Sequence, residues 1–138
     1  GKRVLESLIG NYGLKIVAAE EFDRQDADIT AQVLRVKQSN ADAMLIWSAL
    51  PAPIVIVRNA KAVGYDKPIF VGYGAASPDL AQKAGDAAEG IYVSSFRLMA
   101  IDSLPPNDPV RPVTLKLHQD FIDRWRPRTS RSTATTLR

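Results

Sequence analysis

Apolar residues in the first 97 positions of the chain switch repeatedly between helical spacing and short unbroken runs. Helical spacing predicts four helices, which lie at the start of the chain, over residues 28–39, over 53–63 and from Ser77 onward. Short apolar runs predict four strands, over residues 15–20, 43–47, 69–71 and 90–95. This alternation with short connections favours an α/β fold, a three-layer αβα arrangement around a doubly wound parallel sheet.

Local signals refine two of these elements. The run over residues 43–47 is apolar without interruption, which predicts a strand that is covered on both faces. Trp47 and Tyr92 are accordingly predicted to pack in the core. Ser77 followed by Pro78 predicts a helix start, with serine as the N-cap and proline in the first turn.

The pattern changes after residue 97, so the chain is divided into four segments. Residues 1–97 form the predicted α/β domain, and residues 98–114 form a connection that contains several prolines. Residues 115–126 recover helical spacing and predict a helix. Residues 127–138 are rich in Ser, Thr and Arg, and we expect this tail to be disordered.

The distribution of charge argues against a nucleic-acid partner. The 138 residues carry a formal net charge of +3, but residues 1–123 contain 13 basic and 15 acidic groups. The basic excess therefore belongs to the end of the chain and does not form a charged surface on the predicted domain. There is no cysteine, which excludes disulfides and thiolate metal sites.

The motifs of common enzyme classes are missing, so the sequence predicts no catalytic site, no metal site and no cofactor. A Ser-His-Asp arrangement would have to use His118, the one histidine, and no G-x-S-x-G elbow is present. The glycine-rich residues 72–77 lack the Gly-Lys-Ser/Thr ending of a phosphate loop. Their position before a predicted helix still allows a small ligand carboxylate to bind at the helix end.

The end of the third predicted strand is the best candidate for a binding site. Parallel α/β sheets hold ligands at the carboxyl ends of their strands, and residues 69–71 lead directly into Gly72-Tyr73-Gly74. Glycines on both sides allow the Tyr73 side chain to project into a cleft. We therefore expect Tyr73 to contact a ligand.

The order of several short motifs resembles a known family. Tyr-Gly-Leu-Lys-Ile-Val at residues 12–17, Asp-Ile-Thr-Ala-Gln-Val at 28–33 and Gly-Asp-Ala-Ala-Glu-Gly at 85–90 stand at spacings that are similar to one type of protein. This is the branched-chain amino-acid type of type I periplasmic binding proteins of ABC transporters. The resemblance covers about residues 10–97, and residues after 126 look unrelated to it.

The resemblance implies that the chain is the second of two lobes that close on a small ligand. It implies that the first lobe and the strand before the opening helix are missing here. The ligand-binding residues that it implies on this lobe follow two strands and are Ser48, Ala49, Leu50, Tyr73, Gly74 and Ala75. Amino-acid-binding members often carry an acid at or near Gly74, but this chain has none between Phe70 and Ser77. A carboxylate ligand without an amine is therefore an alternative to a branched-chain amino acid.

The resemblance also implies a function, a location and partners. These are solute capture for an ABC transporter permease, a periplasmic location and contact with the missing lobe of the same protein. The first residues lack the apolar stretch of a signal peptide, so the location rests on the resemblance alone. Self-association of the exposed lobe is a further expectation, and the alternative function is a ligand-sensing regulatory domain of the same fold.

Overall fold

A computed structural model describes residues 2–125, which form two compact units that divide after Ser95. The first unit contains α1 (Lys2–Leu8), α2 (Thr30–Gln38), β1 (Met44–Ile46), α3 (Ala52–Ala62), β2 (Ile69–Val71), α4 (Pro78–Ala84) and β3 (Tyr92–Val93). Short 3-10 turns cover Ile9–Tyr12, Tyr73–Ala75 and Gly85–Ala88. The second unit contains a 3-10 segment (Arg97–Ser103) and α5 (Arg111–Trp125). The predicted tail over residues 127–138 lies outside the described residues.

The three strands form one parallel sheet in the order β1-β2-β3. In its register Leu45 lies opposite Phe70, and Phe70 lies opposite Tyr92. Each strand is connected to the next through a helix, α3 between β1 and β2 and α4 between β2 and β3. A parallel α/β sheet of one lobe is therefore confirmed.

The hydrophobic core lies on one face of this sheet. Met44, Ile46, Ile69 and Val71 point to that face and are buried together with α3, whose Val57 is fully buried. Helix α3 packs against both α2 and α4. The central position of α3 between the neighbouring helices explains why its sequence is apolar over most of its length.

The opposite face of the sheet is exposed. Leu45, Phe70 and Tyr92 are 47%, 43% and 58% exposed, and the rings of Phe70 and Tyr92 stack with centroids 5.0 Å apart. The prediction that residues 43–47 are covered on both faces is therefore wrong, as is the prediction that Trp47 and Tyr92 pack in the core. An apolar run shows that a strand tends to be buried, but the covering element must come from elsewhere in the fold.

The strand predicted over residues 15–20 is not formed. This segment makes no ladder hydrogen bonds with β1, β2 or β3, and Val17 is 52% exposed. Its last residue, Glu20, is held instead by Arg35 on α2, with 2.7 Å between the carboxylate oxygen and the guanidinium nitrogen. A short apolar run favours extended backbone, but a strand also needs a neighbour that offers hydrogen bonds.

The predicted helix starts are close to the observed ones. Ser77 caps α4 and accepts a hydrogen bond from the Asp79 N–H at 3.2 Å, with Pro78 in the first turn, as predicted. Helix α5 begins at Arg111, four residues before the predicted start. Pro112 lies in its first turn, where the missing N–H costs no intrahelical hydrogen bond.

Candidate functional site

The loops that follow β1 and β2 meet at the carboxyl edge of the sheet. The ladder continues for one residue beyond β2, because the Gly72 N–H donates to the Ile46 carbonyl oxygen at 3.0 Å. Two residues later Gly74 lies directly beside the first loop. A Cβ atom placed on Gly74 would be 3.6 Å from the Cα and Cβ atoms of Ala49 and from the carbonyl oxygen of Ser48. The structure therefore brings the two predicted groups of site residues together.

The six predicted residues differ in what they present to solvent. Ser48, Ala49 and Leu50 are half-buried, Gly74 is exposed, and Tyr73 is 62% exposed. Ala75 is completely buried and belongs to the hydrophobic core. Its methyl group therefore cannot face a ligand, and Ala75 contributes to the site through backbone geometry alone.

Short hydrogen bonds fix the loop after β2. The Ala75 N–H donates to the Gly72 carbonyl oxygen at 3.1 Å, and the Ala76 N–H donates to the Tyr73 carbonyl oxygen at 3.0 Å. These bonds form the 3-10 turn that carries Tyr73 outward. They restrict the backbone of the loop on both sides of Tyr73.

The helix end that follows this loop is already occupied by its own cap. Helix α4 has seven residues, and the Ser77 hydroxyl accepts from the Asp79 N–H at 3.2 Å. The Leu80 N–H donates to the Ser77 carbonyl oxygen at 3.0 Å. Two of the first N–H groups are thus satisfied within the helix, which weakens the expectation that a ligand carboxylate binds there.

The surface formed by the two loops carries no carboxylate. The first acid after β2 is Asp79, and it pairs with Lys83 at 2.7 Å on the surface of α4. The Ser48 hydroxyl donates to the Ala49 carbonyl oxygen at 3.2 Å, which leaves the Ser48 oxygen able to accept. The loops therefore offer a neutral surface with hydroxyl groups and an aromatic ring.

Two carboxyl groups in the first unit, those of Glu20 and Asp28, have pKa values that are lowered by local hydrogen bonds. The Arg35 guanidinium donates a hydrogen bond to Glu20 and lowers the pKa of that carboxyl. The Thr30 hydroxyl and N–H lower the pKa of Asp28 in the same way. Both carboxylates are held by hydrogen bonds, so neither is poised as a general base.

No group of three or more His, Cys, Asp or Glu side chains within residues 2–125 is arranged to bind a metal ion. No helix in the same range is long and apolar enough to cross a membrane. His118 is exposed on α5, in the second unit.

One feature at the other edge of the sheet was not predicted. Tyr65, in the loop between α3 and β2, has a buried hydroxyl group without a hydrogen-bond partner among the described residues. Burial, followed by the nearby charge of Asp66, raises the pKa of this tyrosine. The sequence gives no signal for it, because a tyrosine after a helix end is normally exposed at its hydroxyl.

The chain matches a family described as periplasmic binding protein over residues 1–137. This match extends at both ends beyond residues 10–97, to which the motifs had limited the resemblance. The expectation that residues after 126 are unrelated to the family is therefore wrong.

Individual relatives support the same conclusion. The chain is 25% identical over 108 residues to a Leu/Ile/Val/Thr-binding protein of Salmonella typhimurium (strain LT2), covering 78% of this chain and 29% of that protein. A solved structure of an extracellular ligand-binding receptor from Rhodopseudomonas palustris HaA2 is 29% identical and has a TM-score of 0.77, covering 90% of this chain and 35% of the other. A solved protein of Rhodopseudomonas palustris (strain CGA009) is also 29% identical, with a TM-score of 0.78 and the same coverage.

The chain spans about a third of the length of these relatives. The matched part contains the parallel sheet and both loops at its carboxyl edge, and the whole of it follows the family profile. The chain belongs to the periplasmic binding protein family.

Proposed function

We propose that this chain forms one wall of a solute-binding protein, which captures a small ligand between two lobes. The observation that carries the proposal is the close approach of Gly74 to Ala49, where an added Cβ atom would lie 3.6 Å from Ala49, so that the two loops form one surface beside the exposed ring of Tyr73. Carboxyl edges of parallel sheets are where open α/β folds hold ligands. The relatives that are named for ligand binding support a role in solute binding.

Capture needs no chemical step. The surface of Ser48, Ala49, Leu50, Tyr73 and Gly74 covers one side of a ligand, and a second lobe closes on the other side. Ligand pockets bury about 70–90% of a small ligand, so closure provides most of the affinity. We infer that the protein is not an enzyme, and that it delivers its ligand to an ABC transporter permease from the periplasm.

Because this wall has no carboxylate, it is unsuited to a ligand that carries an ammonium group. A ligand ammonium on this side would lose water without gaining an anionic partner, which is unfavourable. Tyr73 and Leu50 suit the apolar or aromatic part of a ligand instead. We therefore propose a small carboxylate with an apolar body, with branched-chain amino acids as the related class that the Salmonella relative binds according to its name.

Calorimetric titration of the intact protein distinguishes these ligands. We expect 4-methylpentanoate, which is leucine without its amine, to bind at least as tightly as leucine. Gly74→Asp should then shift the preference toward leucine by about tenfold, because one carboxylate near an ammonium contributes roughly one unit of pKa shift or 1.4 kcal/mol. Gly10→Asp, at an exposed glycine with no atom within 4 Å of its Cβ position, is the control and should leave the preference unchanged.

Two outcomes would contradict the proposal. First, the unmodified protein could bind leucine far more tightly than 4-methylpentanoate. That result would show that the ligand ammonium has a partner outside this wall. Second, mass spectrometry could find that either ligand is converted into a product, which would show that the protein is an enzyme.

A further inference from the structure

A row of large apolar side chains crosses the exposed face of the sheet. Leu45, Phe70 and Tyr92 lie opposite one another in the register of β1, β2 and β3, and all three are exposed. The rings of Phe70 and Tyr92 stack with centroids 5.0 Å apart, so the row is continuous across two strands. This row, which we call the ridge, stands on the side of the sheet that faces away from α3.

Compact residues form a furrow beside the ridge, on the amino side of the sheet. Ala43 and Pro68 each stand two residues before a ridge residue, and they share its face because side chains alternate along a strand. The Met44 N–H donates to the Pro68 carbonyl oxygen at 2.9 Å, so the ladder between β1 and β2 reaches this row. Gly90, two residues before Tyr92, has no side chain, and a Cβ atom placed on it would meet no other part of the chain within 4 Å. The furrow of Ala43, Pro68 and Gly90 is exposed and runs parallel to the ridge, about 7 Å from it.

This face of the sheet carries no charged residue. The positions two residues after the ridge are Trp47, Gly72 and Ser94, so the nine positions of the three rows contain no Asp, Glu, Lys or Arg. These four residue types make up 24% of the chain. A surface that stays in water normally includes them, whereas the buried core of an interface is depleted in charged residues. The composition of the face is therefore that of a surface that becomes covered.

The apolar area of the face is about what a weak dimer needs. Phe70, Tyr92 and Trp47 are 43%, 58% and 59% exposed, so their rings leave about 300 Å² in water, and Leu45 with the furrow raises this area to about 400 Å². Homodimer interfaces are about 65% apolar, so covering this surface buries about 600 Å² of each copy. The resulting total of about 1,200 Å² is the lower limit for specific complexes.

We propose that two copies of this chain associate through this face, with the ridge of each copy seated in the furrow of the other. A two-fold axis that runs parallel to the ridge, midway between ridge and furrow, relates the two copies. It places each ridge residue over the furrow residue of the same strand in the second copy, so that Phe70 lies over Pro68. Each large side chain thus meets a compact one, and no charge loses its water. Sheets that pack face to face lie about 10 Å apart, a gap that interdigitating side chains fill.

The proposal goes beyond solute capture and does not depend on it. The furrow lies on the amino side of the ridge, so the second copy is displaced toward the amino edge of the sheet. The loops at residues 48–50 and 73–75 lie at the opposite edge. The dimer therefore leaves the candidate ligand wall accessible.

Sedimentation velocity of the intact protein, from about 1 to 500 µM, measures the association. We expect a monomer–dimer equilibrium with a dissociation constant of about 10–100 µM, as suits an interface of about 1,200 Å². Phe70→Ser should weaken the dimer by at least about tenfold, because the change removes two rings from a symmetric interface.

Two leucine variants locate the interface. Leu45→Ser and Leu34→Ser are the same chemical change at two exposed leucines, one on the ridge and the other on α2. Leu45→Ser should weaken the dimer by about threefold to tenfold, and Leu34→Ser should leave it unchanged. Unfolding midpoints of the variants show that each remains folded.

Ala43→Phe separates a fitted interface from general hydrophobic association. The added ring fills the furrow and should weaken the dimer by at least about tenfold, because the ridge of the second copy then has no space. Association without a fitted geometry would instead become stronger, since the variant exposes more apolar surface.

The proposal is overturned if the protein stays monomeric up to about 500 µM, since the face is then covered by another part of the intact protein or left uncovered. It is also overturned if Ala43→Phe strengthens the association, or if Leu45→Ser and Leu34→Ser have equal effects. Gly74→Leu should leave the dimer unchanged, and Phe70→Ser should leave the affinity for 4-methylpentanoate unchanged. Failure of this proposal is therefore distinguishable from failure of the proposed ligand wall.

Discussion

Replacing Gly74 by leucine in the intact protein is expected to weaken ligand binding by at least about tenfold, through loss of the space beside Ala49. Gly74 is exposed and has no left-handed φ, and a Cβ atom at this position makes ordinary contacts of 3.6 Å. The backbone therefore accepts the new side chain, which then occupies the surface that the ligand needs. Calorimetry with 4-methylpentanoate and leucine measures the loss.

Gly10→Leu is the control for this variant. Gly10 is also exposed, has no left-handed φ and has no atom within 4 Å of its Cβ position, but it lies in the turn after α1. The Gly10→Leu variant should bind 4-methylpentanoate and leucine as tightly as the unmodified protein does. If the Gly74 variant binds as tightly as the Gly10 variant, and both keep their unfolding midpoints, the loops at the carboxyl edge are not the binding wall.

Ile29→Ala is expected to lower the free energy of unfolding by about 3 kcal/mol, because it leaves a cavity in the core between α2 and α3. Ile29 is 1% exposed, and its N–H donates to the Asn59 side-chain oxygen at 2.9 Å. The backbone bond survives in the variant, so the loss measures packing alone. Urea unfolding of the intact protein, followed by circular dichroism, gives the value.

Leu34→Ala is the comparison change on α2, the helix that begins directly after Ile29. Leu34 is 38% exposed, so its loss should cost less than about 1 kcal/mol. Equal destabilisation by the two variants would show that α2 is not packed on α3 through Ile29 as described.

The elements that the sequence predicted well are those whose signals are local. The strand Ile69–Val71 is bounded by turn residues on both sides, and Ser77 with Pro78 defines a helix start by its own chemistry. Such features depend on neighbours in the chain and need no knowledge of the fold. The family resemblance supplied the candidate site residues, of which Ala75 is completely buried.

The features that the sequence did not predict depend on distant partners. The segment over residues 15–20 has strand composition, but pairing requires a neighbouring strand that composition cannot supply. The exposure of Leu45 and Phe70 depends equally on what covers the sheet. The close approach of Gly74 to Ala49 follows from the register of β1 and β2, which no single segment encodes.

Amide hydrogen exchange of the intact protein, with and without 4-methylpentanoate or leucine, tests the central claim most directly. If this chain is one wall of a closing cleft, ligand should slow exchange at residues 48–50 and 73–75, while the loop at Tyr65 stays unchanged at ligand concentrations below about 0.1 mM. Binding that leaves exchange at both carboxyl-edge loops unaltered would contradict the account.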